Sequence, residues 1–181
     1  DSIFDIQLLY PCFAEFLTEH PNIEIDFSEE VMNGGWEALN EGKVDLVVGA
    51  PAPIPNHKGV AYKFIKNIEQ VLVVGKGHEL THIECILSKQ DIQKFRTVVV
   101  HDSAKNDIPW SSNIIEQSRH FYVTSVEHKI HAIRSGIGIG YLPKDRIVRL
   151  LNEGELIDIH LDESNPISEV HMAWKIVNKG N

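Results

Sequence analysis

A chain of 181 residues that is 43% hydrophobic and 24% charged suits one large domain or two small lobes, each with a buried core. Its apolar runs are far too short to cross a bilayer, and no signal-peptide pattern opens it. A formal net charge of −9 argues against gripping phosphate backbones, and Cys12 and Cys85, in apolar surroundings without CxxC spacing, read as reduced core residues of a cytoplasmic protein.

Residues 1–20 read as mostly helix. Ser2 and Asp5 make a capping pattern, and Leu9, Phe13, Phe16, Leu17 and His20 recur with helical period. Ile23, Ile25 and Phe27 alternate with charged residues, which predicts a strand. Asn33-Gly34-Gly35 is a tight loop opening a helix over residues 36–41, and Gly42 is its left-handed stop. Residues 44–49, VDLVVG, predict a buried parallel strand, with Leu46 and Val48 sharing a face with Trp36 and Leu39. The Ala50-Pro51-Ala52-Pro53 run ends it. Ligands of open parallel sheets sit beyond the carboxyl ends of strands, so the search for a site begins here.

Residues 60–66 and 70–74 predict two strands joined by Asn67-Ile68-Glu69, and Gly75-Lys76-Gly77 breaks the second. A short helix opens near residues 87–91. Residues 97–100 are a β-branched strand ending at His101-Asp102-Ser103, and a polar loop runs on to Asn113. Residues 120–124 form a strand, Ser125 caps a helix over residues 126–134, and Gly136 ends it. Residues 137–142 are the next strand, and Pro143 opens a helix to Leu151. The last strands cover residues 156–161 and 169–177. Strand, loop, helix, glycine stop and strand recur over residues 23–49 and 121–142, which predicts two α/β lobes rather than one sheet. A first strand and a last helix are expected to lie outside the sequence.

His78-Glu79-Leu80-Thr81-His82 matches H-E-x-x-H, in which a helix sets two imidazoles on one face with a carboxylate as base. That geometry needs mid-helix residues. Gly75 and Gly77 precede the motif directly, and no third ligand stands out, so a loop is the expectation and no metal site is assigned. Gly136, Gly138 and Gly140 follow a helix and enter a strand, the reverse of a dinucleotide loop. His128 and His131 lie opposite the apolar face of Val126, Ile130 and Ile133 and read as solvated. No nucleophile pairs with a base by spacing, so no enzyme, catalytic residue or cofactor is expected. Ser2, the Asn33 to Gly35 loop and Ser125 stand at helix starts, whose free N–H groups attract carboxylates. Asp102 and Ser103 follow a strand end. Ordinary capping and turn chemistry would use the same residues.

Four segments carry a resemblance. WEALNEGKVDLVVG at 36–49 resembles an L-x-x-G-x-x-D-hydrophobic segment, and VLVVGKGHEL at 71–80 resembles a crossover strand with its kGHpL loop. AIRSGIGIGYLP at 132–143 resembles G-x-G-I-x-x-L-P, and EGEL at 153–156 an x-G-x-L turn. In this order, over nearly the whole chain, they resemble the effector-binding domain of LysR-type bacterial transcriptional regulators. The resemblance implies an α/β fold of two Rossmann-like lobes like those of type 2 periplasmic binding proteins. Lobe I would comprise residues 1–75 plus 168–181 and lobe II residues 76–167. It implies a small-molecule effector between the lobes, with Ser2, Asn33, Gly34, Gly35, Pro51, Asp102, Ser103 and Thr124 at contacting positions and Ser125 at the adjoining helix start. That set holds no lysine or arginine, so a polar or aromatic molecule or a monocarboxylate is expected, not a polyanion. The family further implies a homodimer or tetramer, with DNA bound only through an N-terminal domain absent from this sequence, and no membrane. The rival readings are a stand-alone solute-binding protein of the same fold and a zinc hydrolase using His78, Glu79 and His82.

Overall fold

The computed structural model describes residues 1–56, 58–106 and 110–176. A 3-10 turn, Ile6–Leu9, leads into α1 (Tyr10–Glu19), and α2 (Asn33–Glu41) precedes β1 (Leu46–Pro51) and β2 (Val60–Gly75). A second 3-10 turn, Glu79–His82, and the one-turn α3 (Lys89–Ile92) lead to β3 (Thr97–Val100) and β4 (His120–Val123). Then come α4 (Val126–Arg134), β5 (Gly140–Pro143), α5 (Lys144–Asn152), β6 (Leu156–Asp158) and β7 (Ile167–Lys175). The expected end of the last strand at Val177 lies outside the described residues.

The organising element is β2. Two strands were expected there; the structure has one strand of 16 residues. Its first part pairs antiparallel with β7, from Val60 opposite Lys175 to Glu69 opposite Ile167. Its last part pairs antiparallel with β5, from Gln70 to Val73, and with β6, from Val73 to Gly75. Asn67-Ile68-Glu69 looks like a turn but stays extended, because Ile68 is buried against Phe4 and Val170 while its polar neighbours face the other way.

β1 corrects a second expectation. It is not a parallel strand: it pairs antiparallel with β7. The register shifts between Val48 and Ala50, where Gly49 takes φ 79°, and this bulge resets the in–out alternation. Val47 and Ala50 therefore pack with Trp36, Leu39 and Ala173, while Leu46 stays exposed. Residues 23–27 form no strand, and Ile23, Ile25 and Phe27 are exposed. Alternation alone, without a partner edge, does not hold a strand. Cys12 and Cys85 are exposed as well, contrary to the core reading. Cys12 sits on α1, which buries none of its residues.

β3 and β4 pair in parallel. Val98 donates to the Ile139 carbonyl (2.8 Å) and Ile139 to that of Arg96 (2.9 Å), which stitches β3 to the approach of β5. The main core covers both faces of this region. Val71, Val73, Val98 and Leu142 meet Ile130, Ile133 and Ile147 from α4 and α5; Leu72, Val74 and Ile139 meet Leu80, Ile92 and Phe95. This sheet with helices on two sides and the β1–β7–β2 sheet give the two-lobe α/β architecture. Local signals hold where they are strongest. Gly42 closes α2 in the left-handed conformation (φ 75°), and Ser125 Oγ caps α4 by accepting from His128 N (3.2 Å). No described helix is long and apolar enough to cross a membrane.

Candidate functional site

A cavity of about 480 Å³ opens where the two sheets meet. One wall comes from Ser2, Ile3, Met32 and Pro51. The facing wall comes from Val100, Trp110, Val126, Lys129 and Tyr141, and Gln70 and Ser168 line it where β2 changes partner from β7 to β5 and where β7 begins. The size and the mixture of apolar, aromatic and few polar groups suit a small organic molecule. A shallower depression of about 390 Å³ lies elsewhere, beside Lys76, His131, Arg134, Ser135 and Glu155. Arg134 and Glu155 already pair with each other there.

The sequence-chosen residues divide into three groups. Ser2 and Pro51 line the cavity. Pro51 also fixes the floor of its own wall, since its carbonyl accepts from Trp36 Nε1 (3.0 Å). Asn33, Gly34, Asp102 and Ser103 come together, but against one another. Asp102 accepts from the backbone N–H of Asn33 (3.3 Å) and Gly34 (3.2 Å), and also from Ala104 and Trp110 (2.9 Å each). Ser103 Oγ donates to Glu30 (2.6 Å) and accepts from Val31 N (2.9 Å). A Cβ added to Gly34 would stand 1.8 Å from Ser103 Oγ, so only glycine admits this contact. A further clasp lies alongside, where the buried Glu37 carboxylate accepts from Lys105 N (3.0 Å) and Asn106 N (2.9 Å). The first turn of α2, which the sequence marked as an anion site, is thus served by a carboxylate of the same chain.

Gly35, Thr124 and Ser125 form the third group. Gly35 lets α2 approach Val47. Thr124 is exposed and bonds His128 Nδ1 (2.9 Å), and the Ser125 hydroxyl is committed to its cap. None of the three is among the residues lining the cavity. The residues of the H-E-x-x-H match sit at a 3-10 turn, where His78 caps by accepting from Leu80 N (3.2 Å). His78 and His82 therefore do not share the face of a regular α-helix.

Sequence reasoning passed over Lys129. It is 6% exposed, and burial pushes its amine down to about 8. Burial also pushes the Tyr141 phenol up, so the cavity wall disfavours charge that it does not pair. A signal was available. Val126, Lys129, Ile130 and Ile133 follow the 3-4 spacing of one helical face, so Lys129 belongs with the apolar stripe and not with His128 and His131.

A family model described as the LysR substrate binding domain matches residues 1–175. The uncharacterized HTH-type transcriptional regulator YeeY of Escherichia coli K12 is 29% identical, over 96% of this chain and 56% of its own length. The HTH-type transcriptional regulator PunR of the same strain is 25% identical, over 90% of this chain and 52% of its length. The chain thus spans about half the length of the curated relatives it matches. Among solved structures, the regulatory domain of MetR, a LysR family regulator from N. meningitidis, superposes with a TM-score of 0.70 at 15% identity, covering 96% of this chain and 81% of that one. The effector binding domain of a BenM variant gives 0.64 at 18% identity, covering 96% and 81%. The fold is theirs, and the chain belongs to the family of LysR substrate-binding domains.

Proposed function

We propose that this chain is the effector-sensing part of a LysR-type transcriptional regulator and not an enzyme. A small organic molecule binds in the cavity between the sheets and favours one relative setting of the lobes, as any ligand with different affinity for two arrangements must. The single observation that carries this is the cavity itself, with walls supplied by both sheets and polar groups converging on it. Lobe I comprises residues 1–75 plus 168–181 and lobe II residues 76–167; the change of partner along β2 from β7 to β5 at Glu69–Gln70 supports a division close to this one. DNA is reached through a separate N-terminal segment, in keeping with the HTH regulators the chain resembles and with its own charge of −9. The working assembly is a homodimer or tetramer in the cytoplasm.

Thermal-shift screening of the purified protein against organic acids and aromatic compounds tests the reading. At 100-fold excess over Kd a ligand adds about 2.7 kcal/mol, a melting shift of roughly 5–10 °C for a chain of this size. Ser168→Trp places an indole in the cavity and is expected to abolish the shift. A full shift retained in that variant puts the binding site elsewhere.

A further inference from the structure

Two buried residues, Lys129 and Ser2, line the cavity with polar atoms that have no partner among the described residues. Lys129 is 6% exposed, and its ammonium makes no hydrogen bond or ion pair; burial alone accounts for its lowered pKa, with no neighbouring charge contributing. Ser2 is 4% exposed and its hydroxyl is unpaired. An unpaired ammonium in the interior is among the most costly groups a fold can keep. The sequence makes room for it. The Lys129 stem passes over Gly140, where an added Cβ would stand 2.9 Å from Lys129 Cε. The last glycine of the G-I-G-I-G run thereby serves the lysine as well as the strand. Lys129 is also the one lysine or arginine among the described residues lining the cavity, whose acidic members are Asp1 and Glu169. The Asp1 carboxylate is already engaged by the N–H groups of Ile3 (3.0 Å) and Met32. Glu169 is exposed.

We infer that Lys129 is the anion anchor of this cavity and that the ligand is a singly charged organic acid with an apolar or aromatic body. Its carboxylate accepts from Lys129 Nζ, with Ser2 Oγ as a second donor, and its body lies against Tyr141, Trp110 and Met32. The inference rests on the cavity reading above and deepens it by naming the ligand class and the residue that selects it. One cation matches one negative charge. A phosphate monoester would bring a second charge into a wall that offers no arginine fork and holds two carboxylates. The first turn of α2 does not compete for the acid, because Asp102 serves it.

The test uses monocarboxylic acids of about four to ten carbons, straight-chain and phenyl-substituted, a range suited to a cavity of this size. Each is measured beside its primary amide and its phosphate-ester counterpart by calorimetry on the purified protein at neutral pH. At least one acid is expected to bind about tenfold or more tighter than its amide, and Lys129→Met to weaken that acid by roughly thirtyfold or more while Lys129→Arg retains most of the affinity. The unliganded Lys129→Met protein should melt higher than wild type, which shows that the variant is folded. No preference for acid over amide anywhere in the panel overturns the inference, and so does equal or tighter binding of the phosphate esters. A hit that Ser168→Trp abolishes and Lys129→Met leaves unchanged overturns the role of Lys129 and keeps the cavity. A hit insensitive to both substitutions overturns both.

Discussion

Asp102 and Lys129 mark two charged features of the cleft region with opposite fates. Asp102 is a carboxylate with four backbone N–H partners, drawn from the start of α2 and from its own loop. Lys129 is an ammonium with no partner among the described residues, set among α4, β3 and β5. One is complete within the chain, so it contributes to stability and holds two loops together. The other is incomplete within the chain, so it subtracts from stability and awaits something from outside. A close array of hydrogen bonds therefore does not by itself mark a binding site, whereas a group that lacks them beside a cavity calls for an explanation.

Removing the complete partner should have the largest effect. Asp102→Ala strands several N–H groups and should destabilise the protein by about 3 kcal/mol, read as a lowered denaturation midpoint with an unchanged slope. An unchanged midpoint would mean that the loops are held by Ser103 and Glu37 alone. Removing the incomplete partner should act in the opposite direction. Lys129→Met keeps the volume, discards the desolvated charge and should stabilise the unliganded protein by about 2 kcal/mol at neutral pH. The effect has a pH signature. The folded amine is pushed down to about 8 against 10.5 in the unfolded chain. The destabilisation is fully present below about pH 8. Above it the unfolded state binds the extra proton, so stability rises with pH until about 10.5. The advantage of Lys129→Met over wild type should shrink across that window, and a constant difference would place the amine in contact with water. The smallest effect is expected at Ser125, whose hydroxyl completes a cap away from the cavity. Ser125→Ala should cost about 1 kcal/mol of stability and leave ligand affinity unchanged. A loss of affinity there would return Ser125 to the site.

What the sequence disclosed follows the range of the forces involved. Gly42 and Ser125 are read correctly because a left-handed stop and a cap are decided within a few residues. The strand at 97–100 is legible because β-branching and complete burial coincide there. The bulge at Gly49 is not legible, since it depends on register against β7, more than a hundred positions away, and so alternation alone points to the wrong buried face of β1. The continuity of β2 through Asn67 and Glu69 is hidden for the same reason. Glu69 is polar because it meets Lys144 (2.7 Å) and Asn165 (2.8 Å) from later in the chain, not because the strand turns there. At the site, small and acidic residues beside glycine drew attention to Asn33, Gly34, Asp102 and Ser103. Their clustering is real, but their partners lie within the chain, Asp102 bonding Asn33 and Gly34 and Ser103 bonding Glu30 and Val31, and residue type alone does not say whether a donor is already satisfied. Lys129 escaped because its charge suggests the surface, whereas its spacing from Val126 and Ile133 places it inside.

β2 has a mechanical consequence. A single strand shared by two sheets is a shaft, and each sheet grips one end of it. Alongside the point where it changes partners, Gln70 N bonds the Pro166 carbonyl (2.8 Å) and Asn165 holds Glu69, so the returning chain lies lashed to the shaft. Paired strands resist sliding, because sliding breaks their ladder, but tolerate added twist, which hydrogen bonds follow smoothly. Under the proposed function, rotation of one sheet against the other would be channelled into torsion about this axle near Glu69–Gln70, and a molecule bound beside Ser168 and Gln70 would feel, and oppose, the same torque.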